Sequence, residues 1–161
     1  MNKTLIYAAI FTLTMAVSVP GTYANPTLQS DKSPHVIGFM EFPQGIRHAR
    51  ILRHTLKIEV PQQSKAVSQL IIQAPSNIIL RDSIDISDQS GKKVDAKVSI
   101  NGQKATLVFA GQVEPGTTLT IDMNKVKKTA PTNGDKMYKV SAVLVGINAE
   151  LPVGIAQLRV S

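Results

Sequence analysis

The chain has 161 residues, a formal net charge of +7, no cysteine and no tryptophan. Without cysteine there is no disulfide framework, thiol nucleophile, cysteine zinc site or lipid-modified cysteine. Three tyrosines and four phenylalanines are too few for base-stacking nucleic-acid surfaces or aromatic sugar platforms, so the positive charge points instead to solubility and attraction to anionic polymers or headgroups.

Lys3 precedes an uncharged apolar run from Leu5 to Val19, broken at Pro20-Gly21, which is the order of a secretory signal. Thr22-Tyr23-Ala24 places small residues three and one before a cut, which predicts a mature chain starting at Asn25-Pro26. The run is short of the roughly 20 residues that cross a bilayer, and no later stretch is long enough, so the expected product has no transmembrane segment. The expected division is a signal peptide over 1–24, an irregular lead-in over 25–44 and a single β domain over 45–161.

Pro26, Pro34, Gly38 and Pro43 mark the lead-in, with one short strand expected from Val36 to Met40. Leu52, His54, Leu56, Ile58 and Val60 then alternate with Arg53, Thr55, Lys57 and Glu59, the pattern of a half-buried strand stopped by Pro61. Gln62 to Val67 reads as a helical turn capped by Ser64, followed by short strands at Leu70-Ile71-Ile72 and Ile78-Ile79-Leu80. Ile84 and Ile86 begin another strand, Asp88-Gln89-Ser90-Gly91 a turn, and Val94, Ala96, Val98 and Ile100 alternate with polar residues. Asn101-Gly102 predicts a two-residue hairpin loop, because both residues tolerate positive φ, with a returning strand from Ala105 to Phe109. Val113-Glu114-Pro115-Gly116 is a turn into a strand from Thr117 to Met123. A basic loop carrying Lys125, Lys127 and Lys128 is expected next, then strands from Met137 to Val145 and from Ile155 to Val160.

Seven to nine short strands with regular turn signals and no long helix predict an all-β fold, an antiparallel two-sheet sandwich of immunoglobulin-like shape. The stretch from Leu56 to Val160 resembles the domain of unknown function 2808 family, found chiefly in exported cyanobacterial proteins. The matching residues are Leu56 to Pro61, Leu70-Ile71-Ile72, the Pro115-Gly116-Thr117-Thr118 turn into its strand, Gly134, Tyr138 to Ala142, and Gly154 to Val160. The family's Asn-Pro near Asn124-Lys125 and its turn proline near Val145-Gly146 are missing here. The resemblance implies an exported β domain and supplies no catalytic residues.

Catalytic signatures are absent: there is no Gly-x-Ser-x-Gly elbow, zinc-binding His-Glu-x-x-His, phosphate-binding glycine loop or dinucleotide fingerprint. The expectation is a non-enzymatic domain with no cofactor and no metal, partnered by an anionic envelope polymer or an envelope protein. An alternative is a periplasmic copper-binding protein using His35, Met40, His48 and His54 as soft ligands. His54 shares the apolar face of Leu52, Leu56 and Ile58, which instead reads as a core-edge histidine with a hydrogen-bond partner. Arg47, Arg50 and Arg53 make a first basic strip, and Lys125, Lys127, Lys128, Lys136 and Lys139 a second. Asp82, Asp85 and Asp88 are spaced as turn-lining residues, because on a strand Asp82 and Asp85 point to opposite faces.

Overall fold

The computed structural model describes residues 32–44, 51–129 and 136–158. These form ten strands and, among the described residues, no helix. In chain order they are β1 His35–Phe42, β2 Ile51–Val60, β3 Val67–Gln73, β4 Ile78–Ile79, β5 Ile84–Ser87, β6 Ala96–Asn101, β7 Lys104–Val113, β8 Thr117–Lys128, β9 Lys136–Leu144 and β10 Glu150–Leu158.

All pairings are antiparallel, and the strands sort into two sheets. Sheet A runs β1-β2-β8, with β4 and β5 both on the far edge of β8; sheet B runs β10-β9-β3-β7-β6. Period-two alternation turns one face of each sheet inward. Across sheet A the register aligns Phe39, Leu56, Ile121 and Ile86 in one inward row. Across sheet B it aligns Leu151, Ala142, Leu70, Leu107 and Val98. These rows face each other as a single core that also takes in Ile58, Ile72, Leu119 and Val140.

Several expectations need correction. Gln62 to Val67 holds no helical turn: Ser64 donates its amide to the Pro61 carbonyl at 2.9 Å, a tight reversal forced by the chain crossing from sheet A to sheet B. The hairpin loop is Gly102-Gln103, one residue later than expected, with Asn101 paired to Lys104. Gly102 alone takes positive φ, at 61°, so the loop needs only one permissive residue and Asn101 is free to close the ladder. Lys125, Lys127 and Lys128 lie within β8 rather than in a loop. Lys125 sits at a bulge with φ 53°, where the three steps from Met123 to Val126 oppose the two from His54 to Leu52. The added residue lets both Met123 and Val126 face the core despite their odd spacing.

The Pro115-Gly116 turn carries β7 of sheet B into β8 of sheet A. Gly116 has φ 82°, and its amide donates to the Val60 carbonyl at 2.7 Å, so the turn is fastened to the end of β2. A Cβ at this position would stand 2.1 Å from the Gln62 side-chain nitrogen. Positive φ and close approach together explain why glycine occupies the position.

Candidate functional site

Three chemically active side chains meet inside the sandwich. Glu41 on β1 and His54 on β2 are cross-strand partners on the inner face of sheet A, and Tyr138 reaches them from β9 of sheet B. His54 Nε2 lies 2.9 Å from Glu41 Oε2, and Nδ1 lies 2.5 Å from the Tyr138 hydroxyl. Phe39 lies beside both rings, with centroids 5.3 Å from His54 and 5.0 Å from Tyr138. His54 and Tyr138 are fully buried.

With the imidazole neutral and its proton on Nε2, His54 donates to the Glu41 carboxylate and Tyr138 donates its hydroxyl proton to Nδ1, so each of these donors has an acceptor. Burial pushes the Tyr138 phenol well above its ordinary pKa, and the Glu41 charge adds to the shift. The phenol is therefore a fixed donor. A carboxylate, an imidazole and a hydroxyl in line resemble a nucleophilic relay, but the hydroxyl at its end is sealed between two sheets and has no access to a substrate. The relay joins β1, β2 and β9, and so ties the sheets together.

Two of the three histidines and Met40 can be placed against this arrangement. His54 is the expected buried histidine with hydrogen-bond partners, and neither ring nitrogen is left to hold a metal. His35 instead points its Nε2 to Glu59, at 3.5 Å, and its Nδ1 to the Ser33 carbonyl oxygen, at 3.2 Å. His35 pairs with Glu59 and Glu41 with His54, so the two histidines stand at opposite ends of the β1–β2 ladder, roughly 20 Å apart at the rise of a strand. Met40 pairs with Thr55 and faces outward, on the other side of the sheet from His54. The described residues therefore do not bring His35, Met40 and His54 together; His48 lies outside them. No group of three histidine or acidic side chains suited to a metal occurs among the described residues.

The acidic series divides as strand geometry requires. Asp88 lines the β5–β6 turn, where Oδ1 accepts from the Ser90 hydroxyl at 2.6 Å and from the Ser90 and Lys92 amides at 2.9 and 3.0 Å. These bonds, the Ser90 hydroxyl first, hold its pKa below the usual carboxylate value. Asp85 faces outward beside Asp122: Asn124 donates to Asp85 at 2.9 Å and Thr55 donates its hydroxyl proton to Asp122.

The basic residues are where sequence order and spatial order differ most. Ile51 pairs with Lys127, and Arg53 faces the bulge that contains Lys125, so Arg53 of the first basic strip meets Lys125 and Lys127 of the second at one end of the outer face of sheet A. Arg53, Lys125 and Lys127 are exposed there, with Ile51 68% exposed between the strands. Arg53 lies over the Phe42 ring, 4.7 Å from its centroid. No carboxylate pairs with these three cations among the described residues. Arg47 and Arg50 lie outside the described residues. Lys139, by contrast, is on β9 and faces outward from sheet B, away from this corner.

Fold and interior together define an antiparallel two-sheet β-sandwich whose most reactive groups bond to one another. A family model described as "Protein of unknown function (DUF2808)" matches residues 30–159, and the chain belongs to that family. Comparison with curated proteins finds no match. Similar solved structures include the major pilin subunit BcpA of Bacillus cereus, with a TM-score of 0.54 and 11% identity over 78% of this chain and 39% of that one. The bacterial hydrophobin BslA gives a TM-score of 0.54 and 12% identity over 80% and 94%. The N-terminal domain of the Streptococcus gordonii adhesin Sgo0707 gives 0.53 and 11% over 81% and 33%. The chain thus spans 39% of the pilin structure and 33% of the adhesin structure, and the likeness is one of fold. No helix among the described residues is long and apolar enough to cross a membrane.

Proposed function

We propose that the protein is an exported, non-enzymatic envelope domain that binds anionic material through the Arg53, Lys125 and Lys127 corner of sheet A. The observation that carries this reading is the meeting of Arg53 with Lys125 and Lys127, more than 70 residues away in sequence, on one exposed end of a sheet with no acidic partner among the described residues. An arginine and two lysines around an exposed isoleucine suit phosphate or carboxylate groups: Arg53 offers a planar pair of donors and the lysines offer mobile charges. The internal bonding of Glu41, His54 and Tyr138 supports a role without catalysis. The Lys3 to Ala24 signal pattern supports export. The same fold in a pilin subunit, a hydrophobin and an adhesin is compatible with attachment or assembly at a cell boundary.

The test is capture of anionic envelope components by the immobilised protein across a salt series. Binding present at low salt and lost as ionic strength rises is the expected result. Failure to retain anionic material at low salt rejects the proposal.

A further inference from the structure

The outer face of sheet A is graded along its strands. At the corner, Ile51, Lys127 and Ile79 are cross-strand partners on β2, β8 and β4 and form the outermost row described. The row behind it holds Phe42, Arg53 and the bulge with Lys125, and the third holds Met40, Thr55, Asp122 and Asp85. Directly paired residues share a face of the sheet, so each row stands on one surface. Ile51, at 68%, is the most exposed large apolar side chain among the described residues, and Ile79 is half-buried beside Lys127.

The acids of this face stand back from its tip. Asp122 and Asp85 lie in the row of Thr55, about 13 Å from the Ile51 row at the rise of a strand, which exceeds a Debye length of about 8 Å at physiological salt. Both already accept hydrogen bonds, Asp122 from Thr55 and Asp85 from Asn124. Arg81 and Asp82, exposed side by side at the edge beyond β4, add no net charge.

We infer that this end of sheet A seats on a bilayer rich in anionic phospholipid, with Ile51 entering the boundary between headgroups and acyl chains. The inference rests on the anion-binding reading of the corner and names its partner. From the tip backward the face presents apolar side chains, then cations, then carboxylates, which matches the depth order of acyl chains, lipid phosphates and water. Lys127 stands in the outermost row, but its long stem lets the ammonium reach back to the phosphates while the methylenes lie beside Ile51 and Ile79. Arg53 rests over the Phe42 ring, 4.7 Å from its centroid, with its N–H donors left for phosphate oxygens. A soluble anionic polysaccharide offers the same charges but no apolar phase for Ile51, and with Arg53 over it Phe42 is no open platform for a sugar ring. Cations and a single apolar side chain are each a weak membrane signal; their adjacency makes the corner a two-signal anchor.

The experiment uses the chain recovered after export and exploits its lack of tryptophan. Ile51→Trp sets a single fluorescent reporter at the tip, on an exposed strand position that tolerates an aromatic. Val108→Trp sets one at a 43% exposed position on the outer face of sheet B as the control. Each is mixed at low salt with phosphatidylglycerol–phosphatidylcholine vesicles, with phosphatidylcholine vesicles alone, and with a soluble anionic polysaccharide. On the anionic vesicles the Ile51→Trp emission shifts to shorter wavelength and is quenched by lipids brominated near the top of the acyl chain, while Val108→Trp does not shift. Ile51→Gln keeps every charge and a wild-type thermal midpoint, yet lowers partitioning onto anionic vesicles roughly tenfold. Vesicle binding with an unshifted Ile51→Trp emission and an Ile51→Gln variant that binds like wild type overturns the inference and leaves the basic corner standing. Preference for the polysaccharide over anionic vesicles does the same, and binding to neither defeats both.

Discussion

Tyr138→Phe removes one oxygen from the centre of the sandwich and leaves the ring that packs against Phe39 and His54. Ring centroids at 5.0 Å from Phe39 and 5.6 Å from His54 place phenylalanine in the same contacts, so packing is retained. What is lost is the donor to His54 Nδ1, now an acceptor facing apolar neighbours in a fully buried position. Stranding a buried polar atom costs about 1–3 kcal/mol. For a domain of this size that lowers Tm by roughly 3–12 °C. Thermal unfolding followed by circular dichroism measures the change, and a cycle with His54→Leu isolates the bond from the rest. Because the double variant has removed both the acceptor and its donor, it should be less destabilised than the sum of the singles, by about 1 kcal/mol or more. A Tyr138→Phe midpoint within a degree of wild type, or strict additivity in the cycle, would refute the role assigned to the relay.

The same phenol sets an alkaline limit. Its folded pKa is raised by burial and by Glu41, so its contribution is complete below the ordinary tyrosine value near 10 and declines as pH rises above it. In that window the unfolded phenol ionises while the folded one holds its proton, costing about 1.4 kcal/mol per pH unit, and denaturant melts of Tyr138→Phe should lack this slope. Lys125→Gly should raise stability by about 0.5–1 kcal/mol, since φ 53° at the bulge strains any residue with a Cβ; a neutral or lower midpoint contradicts that. Gly116→Ala should lower it by about 1–3 kcal/mol, from positive φ and from displacement of Gln62, as read by equilibrium unfolding.

Much of the fold was legible because it is local. The alternation from Leu52 to Val60 and the Pro115-Gly116 turn each rest on a few consecutive residues whose chemistry permits one geometry, while the Asn101-Gly102 signal located the hairpin but set its loop one residue early. The bulge in β8 was not legible: Met123 and Val126 are three apart, which breaks the alternation, and Lys125, Lys127 and Lys128 around Val126 resemble a solvated loop. Extra residues in the pairing of Val36 and Gly38, or of Pro152 and Gly154, leave no periodic trace either. His54 could be placed in the core from its neighbours on β2, but its partners could not be named. Glu41 is 13 residues away and Tyr138 is 84, and only the pairing of β1 with β2 and the facing of the two sheets brings them together. The basic corner has the same origin, since Arg53 and Lys125 become neighbours only when β2 pairs with β8.

The most direct test of the proposed function separates the corner from the overall charge. Lys125→Glu with Lys127→Glu reverses the sheet A corner, and Lys104→Glu with Lys139→Glu makes the same net change on the outer face of sheet B. Binding to vesicles rich in anionic phospholipid and to a soluble anionic polysaccharide is measured for both at low salt. The account predicts that the first pair loses at least roughly tenfold in affinity for whichever of these the wild type binds, while the second stays within about twofold of wild type. Equal losses from the two pairs would show that net charge alone attracts the ligand and would contradict a site at Arg53, Lys125 and Lys127.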